Sequence, residues 1–254
     1  MKVTAILQAR ASSSRLPNKV ILPVLDRPML ARQLERILQA KKIEQLIVAT
    51  STECSDNPIA ELCESMNISC YRGDLNDVLA RFYYASAMHE SEHIVRLTGD
   101  CPLTDPSMID SVIKFHIEGG YDYSSNSLHP TLPDGLDVEI IKASTLREIH
   151  QKAVLPSERE HVTLYINNNK SKFKIGSYES SINLSEHRWT VDEQKDLDFV
   201  REIYSALYEN NPNFTSDDIL LHLESNPELL DINSNIVRNE GLIKSQQNDN
   251  KLID

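Results

Sequence analysis

Glycine is scarce in this chain: seven in 254 residues, the first of them Gly73. Neither a G-x-G-x-x-G turn nor a P-loop can therefore follow the first strand-like segment, because both need glycine where backbone closes on phosphate. Long apolar runs are also missing. No stretch approaches the ~20 residues that a membrane span requires. Val3–Leu7 leads straight into charge, without the basic-then-apolar layout of a secretory signal. A cytoplasmic setting with no membrane partner is expected. Cys54, Cys63, Cys70 and Cys101 form no C-x-x-C pair, and their spacing fits neither zinc nor a disulfide framework. Reduced, half-buried thiols are expected instead. Basic residues are the minority, 26 against 38 acidic, for a net charge of −12. That balance excludes the broad basic surface that a nucleic-acid partner wants.

What is present first is a local reversal of that charge. Residues 1–25 hold Lys2, Arg10, Arg15 and Lys19 and no Asp or Glu. A strand-like run, Val3–Gln8, ends in the Ser-rich loop Ala9-Arg10-Ala-Ser12-Ser13-Ser14-Arg15-Leu-Pro-Asn-Lys19. In an open α/β sheet, the loop at the carboxyl end of a first strand is where ligand binds. Arg supplies planar, fork-shaped donors and Lys a point charge, a set that suits a polyanion such as a nucleoside triphosphate. The plainer alternative is a turn on a solvated face, since Ser, Pro and Asn are ordinary turn residues. Joint placement of three cations after a buried-looking strand favours the ligand.

The first half of the chain alternates strand and helix patterns. Strands are expected at Val3–Gln8, Gln45–Thr50, Ile68–Tyr71 and His93–Thr98. Helices are expected at Met29–Ala40, Pro58–Met66, Asp77–His89 and Pro106–Glu118, the last opened by Asp105 and Pro106. This βαβα rhythm implies an α/β fold, a largely parallel sheet covered by helices on both faces. From Tyr121 to Tyr178 the rhythm loosens into short strands (Val138–Ile141, Phe173–Gly176) and helices (Ser144–Gln151, Glu158–Asn167), read as an inserted α+β lid or dimer contact. Arg188–Val191 reads as a last strand returning to the sheet, before helices at Gln194–Tyr208 and Thr215–Ser225. One domain spanning 1–240 is expected, with a polar tail at 241–254 that frays.

Two further segments carry chemistry. In Arg96-Leu-Thr98-Gly99-Asp100-Cys-Pro, a strand ends at Thr98, Gly99 permits close backbone approach, and Asp100 projects where a carboxylate can hold magnesium against phosphate. The plainer alternative is a simple turn. In Trp189-Thr-Val-Asp192 a second strand ends in an aspartate, and two such aspartates on neighbouring strands could grip one cation. Asp192 could equally cap the helix that follows.

Together these segments resemble a known family. Gln8-Ala-Arg-x-x-Ser-x-Arg15-Leu-Pro-x-Lys19, Arg96-Leu-Thr-Gly-Asp100-x-Pro and Arg188-Trp-Thr-Val-Asp192 are similar to the CTP-dependent sugar cytidylyltransferases, in particular the spore-coat polysaccharide SpsF branch, relatives of the CMP-Kdo and CMP-sialate synthetases. Val48–Ser51, Arg72-Gly-Asp-x-x-Asp77-Val-Leu-x-Arg81, Pro133–Glu139, Glu158–Thr163 and Arg238–Gly241 agree, so the resemblance runs from about residue 3 to 244. Pro17-Asn18 stands where many relatives have Pro-Gly or a basic pair. The resemblance implies a Rossmann-like, three-layer nucleotidyltransferase fold related to GT-A. It implies that the loop Arg10–Lys19, with Gln8, Ala9, Ser12, Ser13, Ser14, Thr98 and Gly99, holds CTP. Asp100 and Asp192 would ligate Mg2+, Arg72 and Ser51 would lie near cytosine or ribose, and Asp137, Glu139 and His161 would face a small sugar-acid acceptor. Family members are often dimers, so a homodimer is expected.

The implied reaction is in-line attack of an acceptor hydroxyl on the α-phosphorus of CTP, with Arg15, Lys19 and Asp100 as the catalytic set and pyrophosphate leaving. The acceptor stays open among nine-carbon and eight-carbon sugar acids and small phosphonates. Three rivals remain. A glycosyltransferase would want a D-x-D loop, and the only D-x-D here, Asp196-Leu-Asp198, falls in an expected helix whose i and i+2 positions point apart. A nucleotidyltransferase using another NTP and a non-catalytic nucleotide-binding regulator are the others.

Overall fold

A computed structural model describes residues 2–234. Strand β1 (Val3–Gln8) is followed by a two-stranded ribbon, β2 (Pro23–Val24) and β3 (Arg27–Pro28). Then come α1 (Met29–Ile37), β4 (Gln45–Ser51), α2 (Asn57–Ser65), β5 (Ser69–Gly73), α3 (Val78–Ser86), β6 (His93–Thr98) and α4 (Pro106–Gly119). The second half contributes β7 (Tyr123–Ser125), β8 (Glu139–Lys142), α5 (Ala143–Lys152), α6 (Pro156–Glu160), α7 (Leu164–Asn168), β9 (Ile175–Ser177), α8 (Gln194–Leu207) and α9 (Ser216–Ser225). Seven strands form one sheet in the order β5-β4-β1-β6-β8-β7-β9. Only β8 runs against the rest.

The sheet is mostly parallel because helical crossovers connect its strands, and it is buried on both faces for the same reason. From β1 the residues Val3, Ala5 and Leu7 join one core with side chains of α1, α2, α4, α8 and α9. The intervening Ile6 joins the opposite core with α3, α5 and Ile166 of α7. This period-2 division makes the molecule three layers deep. The chain moves outward from β1 through β4 to β5, then crosses back to β6 on the other side of β1. The strand order reverses between β1 and β6, and a crevice opens outside the carboxyl ends of such a pair.

Most boundaries fall within two or three residues of expectation, and Asp105 caps α4 by accepting from the N–H groups of Ser107 and Met108. Four expectations need correction. Arg188–Val191 is not a sheet strand: Arg188 makes one isolated bridge with Asp134, because antiparallel β8 already occupies the place beside β6. Asp192 is not a helix cap. Glu193 caps α8 in a reciprocal box with Asp196. The single helix expected at Glu158–Asn167 is two short ones, α6 and α7, broken at His161 (φ −102°, ψ 88°). The 121–178 stretch supplies β7, β8 and β9 to the main sheet, and β7 was not expected at all. The 241–254 tail and Arg238–Gly241 lie outside the described residues.

Candidate active site

The loop after β1 is held from below by a carboxylate. Asp56 is fully buried and accepts from Ala11 N–H (2.7 Å), Thr50 Oγ1–H (3.0 Å), Ser51 N–H (3.1 Å) and the Ser51 hydroxyl. Burial works against its charge, but these donors outweigh it and keep its pKa below the usual carboxylate value. The ends of β1 and β4 are thus tied to one anchor. Across the crevice, Gly99 N–H donates to the Gln8 carbonyl at 2.8 Å, and a Cβ on Gly99 would stand 3.0 Å from Ala9 Cβ. Here glycine serves the closeness of two strand ends. The loop returns through Asn18, whose left-handed backbone (φ 60°, ψ 18°) is one that Gly or Asn tolerates.

Lys19 follows directly and reaches back across the crevice. Its Nζ donates to the Val191 carbonyl at 2.6 Å and lies 3.0 Å from Asp192 Oδ1 and 3.3 Å from Asp100 Oδ2. Burial opposes its charge, yet Asp100 and Asp192 hold its pKa above the ordinary lysine value. Burial likewise opposes charge on Asp100, but Lys19 and hydrogen bonds from Thr98 and Cys101 bring its pKa down to about 2. Arg15 Nη2 meets Asp192 Oδ1 at 3.0 Å.

The segment bearing Asp192 lies across the strand ends, with Val191 N–H donating to the Asp100 carbonyl at 2.7 Å. Arg188 fixes it. The guanidinium pairs with Asp196 through Nε (2.9 Å) and Nη2 (3.1 Å), with Asp134 through Nη1 (3.1 Å), and with Asp192 Oδ2 through Nη2 (3.0 Å). Gly135 packs beneath at φ +112°, where a Cβ would come within 2.6 Å of the Trp189 and Thr190 backbone. Asp192 therefore presents Oδ1 to Lys19 and Arg15 while Oδ2 is spent on Arg188.

Between these parts lies a cleft of about 320 Å³, lined by five cations, Arg10, Arg15, Lys19, Arg81 and Arg96, and three acids, Asp100, Glu160 and Asp192. In a chain of net charge −12, this is a local cationic mouth. Arg81 is 3% exposed, its stem against Gly73, and its Nε and Nη1 find no hydrogen-bond partner among the described residues. Burial, then Arg10, lowers its pKa.

A family model described as "Cytidylyltransferase" matches residues 4–224. The chain belongs to the cytidylyltransferase family. The Bacillus subtilis spore coat polysaccharide biosynthesis protein SpsF is 30% identical over 230 residues, 88% of this chain and 94% of that one. A cytidylyltransferase structure from Leptospira borgpetersenii serovar Hardjo-bovis has a TM-score of 0.87 at 32% identity, covering 93% and 98% of the two chains. The CMP:2-keto-3-deoxy-manno-octonic acid synthetase complexed with CTP shares the fold, with a TM-score of 0.63, 15% identity and coverage of 81% and 99%. The family resemblance of the motifs and the α/β nucleotidyltransferase fold are both borne out.

Of the positions that the family motifs singled out, Gln8, Ala9, Arg10, Ser13, Ser14, Arg15, Lys19, Thr98, Gly99, Asp100, His161 and Asp192 all line the cleft. Ser12 is exposed on the same loop, outside its wall. Ser51 and Arg72 are also outside it. Ser51 is committed to Asp56, and Arg72 donates to the carbonyls of Ser51 (2.8 Å) and Glu53 (2.9 Å), bracing the loop after β4. Asp137 is half-buried just before β8 and is not part of the wall. Glu139 is buried behind it, accepting from Arg96, Tyr123 OH and Thr163 Oγ1 (2.9 Å). It holds Arg96, whose Nε also meets Gln8 Oε1 at 3.2 Å, against the cleft. Arg81, Arg96, Glu160 and the Arg188 cluster were missed as site residues, although Arg81, Arg96, Glu160 and Arg188 all stand inside quoted motifs.

Asp100 and Asp192 fit the proposed magnesium in one respect: both aim an oxygen at a common cationic point, the Lys19 ammonium. Oxygen donors are what a hard cation takes. Among the described residues, no group of three or more His, Cys, Asp or Glu gathers, so other ligands would be water and phosphate oxygens. The D-x-D alternative loses its basis, since Asp196 is buried against Arg188 and Asp198 is exposed in α8. Among the described residues no disulfide forms, and no helix is long and apolar enough to cross a membrane.

Proposed function

We propose that the protein transfers CMP from CTP to a hydroxyl of a small sugar acid, releasing pyrophosphate, with Mg2+ held by Asp100 and Asp192. The observation that carries this is the cationic mouth at the β1–β6 reversal, set against two convergent carboxylates. CTP follows from the family, and the sugar-acid class from the relative of the same fold that is named for one.

Arg10, Arg15 and Lys19 lie where donors on the β1 loop would take the triphosphate, Arg with its fork and Lys as a point charge. Arg15 and Lys19 offset the charge that develops on departing pyrophosphate. Arg96 enters the wall already oriented by Glu139 and Gln8, so it loses little freedom on meeting an anion. The metal, when bound, would polarise phosphate oxygens and lower the pKa of a coordinated hydroxyl. His161 and Glu160, at the break between α6 and α7, face the cleft and are the residues of the 121–178 stretch placed to meet the acceptor. A homodimer in the cytoplasm belongs to the same proposal.

Thermal unfolding with CTP, UTP, GTP and ATP, each with and without Mg2+, tests the nucleotide without the acceptor. A ligand at 100 times its dissociation constant adds about 2.7 kcal/mol. A rise with CTP, enlarged by Mg2+ and not matched by the other three, is expected. A larger rise with another nucleotide, or none with any, overturns the proposal.

A further inference from the structure

Lys19 stands at the point where the two acidic side chains converge. Its ammonium touches Asp100 Oδ2 at 3.3 Å, Asp192 Oδ1 at 3.0 Å and the Val191 carbonyl at 2.6 Å, and its side chain is only 10% exposed. The remaining carboxylate oxygens are engaged elsewhere. Asp192 Oδ2 accepts from Arg188, and Asp100 Oδ1 receives the Cys101 thiol at 3.5 Å. The oxygens that face each other across the crevice are therefore the ones that Lys19 bridges. Two cations drawn to the same pair of oxygens repel each other, strongly so where water is largely excluded.

We propose that Lys19 is an internal counter-cation: its ammonium takes the position between Asp100 and Asp192 that Mg2+ requires, so the metal binds tightly only once nucleotide phosphate draws the ammonium away. This rests on the reading of the two aspartates as metal ligands. The chemistry explains why a lysine suits the place. The two carboxylates are half-buried, and although Arg15 and Arg188 also pair with Asp192, the ammonium is the cation that compensates both of them in the free protein. Its flexible four-carbon stem can turn toward phosphate with the Asn18–Ile21 backbone unchanged, which a planar, multiply bonded guanidinium would not do as readily. Phosphate then gives Lys19 a replacement anion, and the metal gives the carboxylates a replacement cation. Metal and nucleotide become a coupled pair, and the coupling must be reciprocal.

The test uses the full chain and Mn2+ as a paramagnetic stand-in, with free Mn2+ counted by electron paramagnetic resonance. For the native protein, CTP should tighten Mn2+ binding at least about tenfold. Lys19→Met should bind Mn2+ without nucleotide at least about tenfold more tightly than the native protein, and CTP should add little further. Because this variant leaves two carboxylates without their ammonium, its thermal midpoint is measured alongside. Mn2+ alone should raise that midpoint saturably, should leave the native midpoint almost unmoved, and should lose its effect in Lys19→Met/Asp100→Asn. Equal or weaker Mn2+ binding by Lys19→Met, or a variant that stays unfolded with Mn2+, overturns the proposal. Failure of the functional reading looks different: the native protein would show no response to CTP, while the Mn2+-only comparison of Lys19→Met with the native chain would still decide where the ammonium sits.

Discussion

At the scale of single residues, the cleft separates groups that line it from groups that hold those in place. Arg15 and Lys19 face the cleft, and replacing either by alanine should slow pyrophosphate release by about 10²–10³ while weakening CTP binding. Asp100→Ala should abolish turnover and leave CTP binding without metal measurable by calorimetry; near-normal turnover would remove the metal assignment. Arg81 makes a different prediction. Its Nε and Nη1 are buried with no partner among the described residues, so the free protein gains little from its charge. Arg81→Met should leave the free protein at least as stable, since apolar replacement of a poorly satisfied buried charge is often neutral or better. The same change should shrink the midpoint rise that nucleotide produces. An unchanged rise would show that Arg81 does not meet the ligand. Residues with a strong local signature were legible in the sequence, as with Arg10, Arg15, Lys19 and Asp100. Arg72, Ser51 and Glu139 were not, because whether a polar side chain faces ligand or braces a loop depends on partners far away in the chain.

At the scale of elements, the 188–192 segment decides the site. It was read as a strand because Trp-Thr-Val is β-rich, and β propensity reports fit to a pleated surface more than a place in a sheet. The place beside β6 belongs to β8, and the segment instead crosses the strand ends, clamped by Arg188 above and Gly135 below. Asp192 and Asp100 both meet Lys19, although Asp192 does not end a strand beside Asp100 as expected. Gly135→Ala should cost about 2–4 kcal/mol, combining a strained φ with backbone overlap. Urea denaturation would read that loss. Because the clamp also aims Asp192, the variant should bind Mn2+ with CTP more weakly than a surface control of equal stability. The break at His161 was equally invisible in sequence. Glu158–Asn167 has acceptable helix formers throughout, and the turn is imposed by Val162 and Ile166 packing into the core shared with α3 and α5.

For the whole molecule, the most informative titration lies away from the cleft. His116 is fully buried between α4 and the sheet, with Nδ1 2.6 Å from Ser124 Oγ and Nε2 3.0 Å from His93 Nδ1. Burial, and then His93, push its pKa down to about 3, and burial lowers that of His93 too. The unfolded chain takes up protons near pH 6.5 that the native state refuses. Stability should therefore be intact above pH 6.5, fall as pH drops toward 3, and level off below. For His116 alone the loss by pH 5 is about 2 kcal/mol. Urea midpoints at pH 7, 6 and 5 check this, and His116→Gln should flatten the slope. Native carboxylates with depressed pKa values, such as Asp100 and Glu139, lose their contribution only at lower pH.

The sequence by itself determined the βα alternation, the burial of β1, β4 and β6, the cap of α4, and a basic loop at the end of the first strand. All of these follow from local rules, since helix and strand periods, capping and turn chemistry act over a few residues. Family motifs added the candidate ligand and metal. Tertiary structure alone decided that β8 runs antiparallel beside β6 and that residues 188–192 cross the strand ends. It also decided that Glu139 holds Arg96 and that Asp100 and Asp192 share one lysine. Each depends on contacts between residues tens of positions apart, 81 and 173 for the two carboxylates that meet Lys19. Which distant partner a charge finds is settled by the packing of the whole sheet and its helices, and no local pattern encodes it.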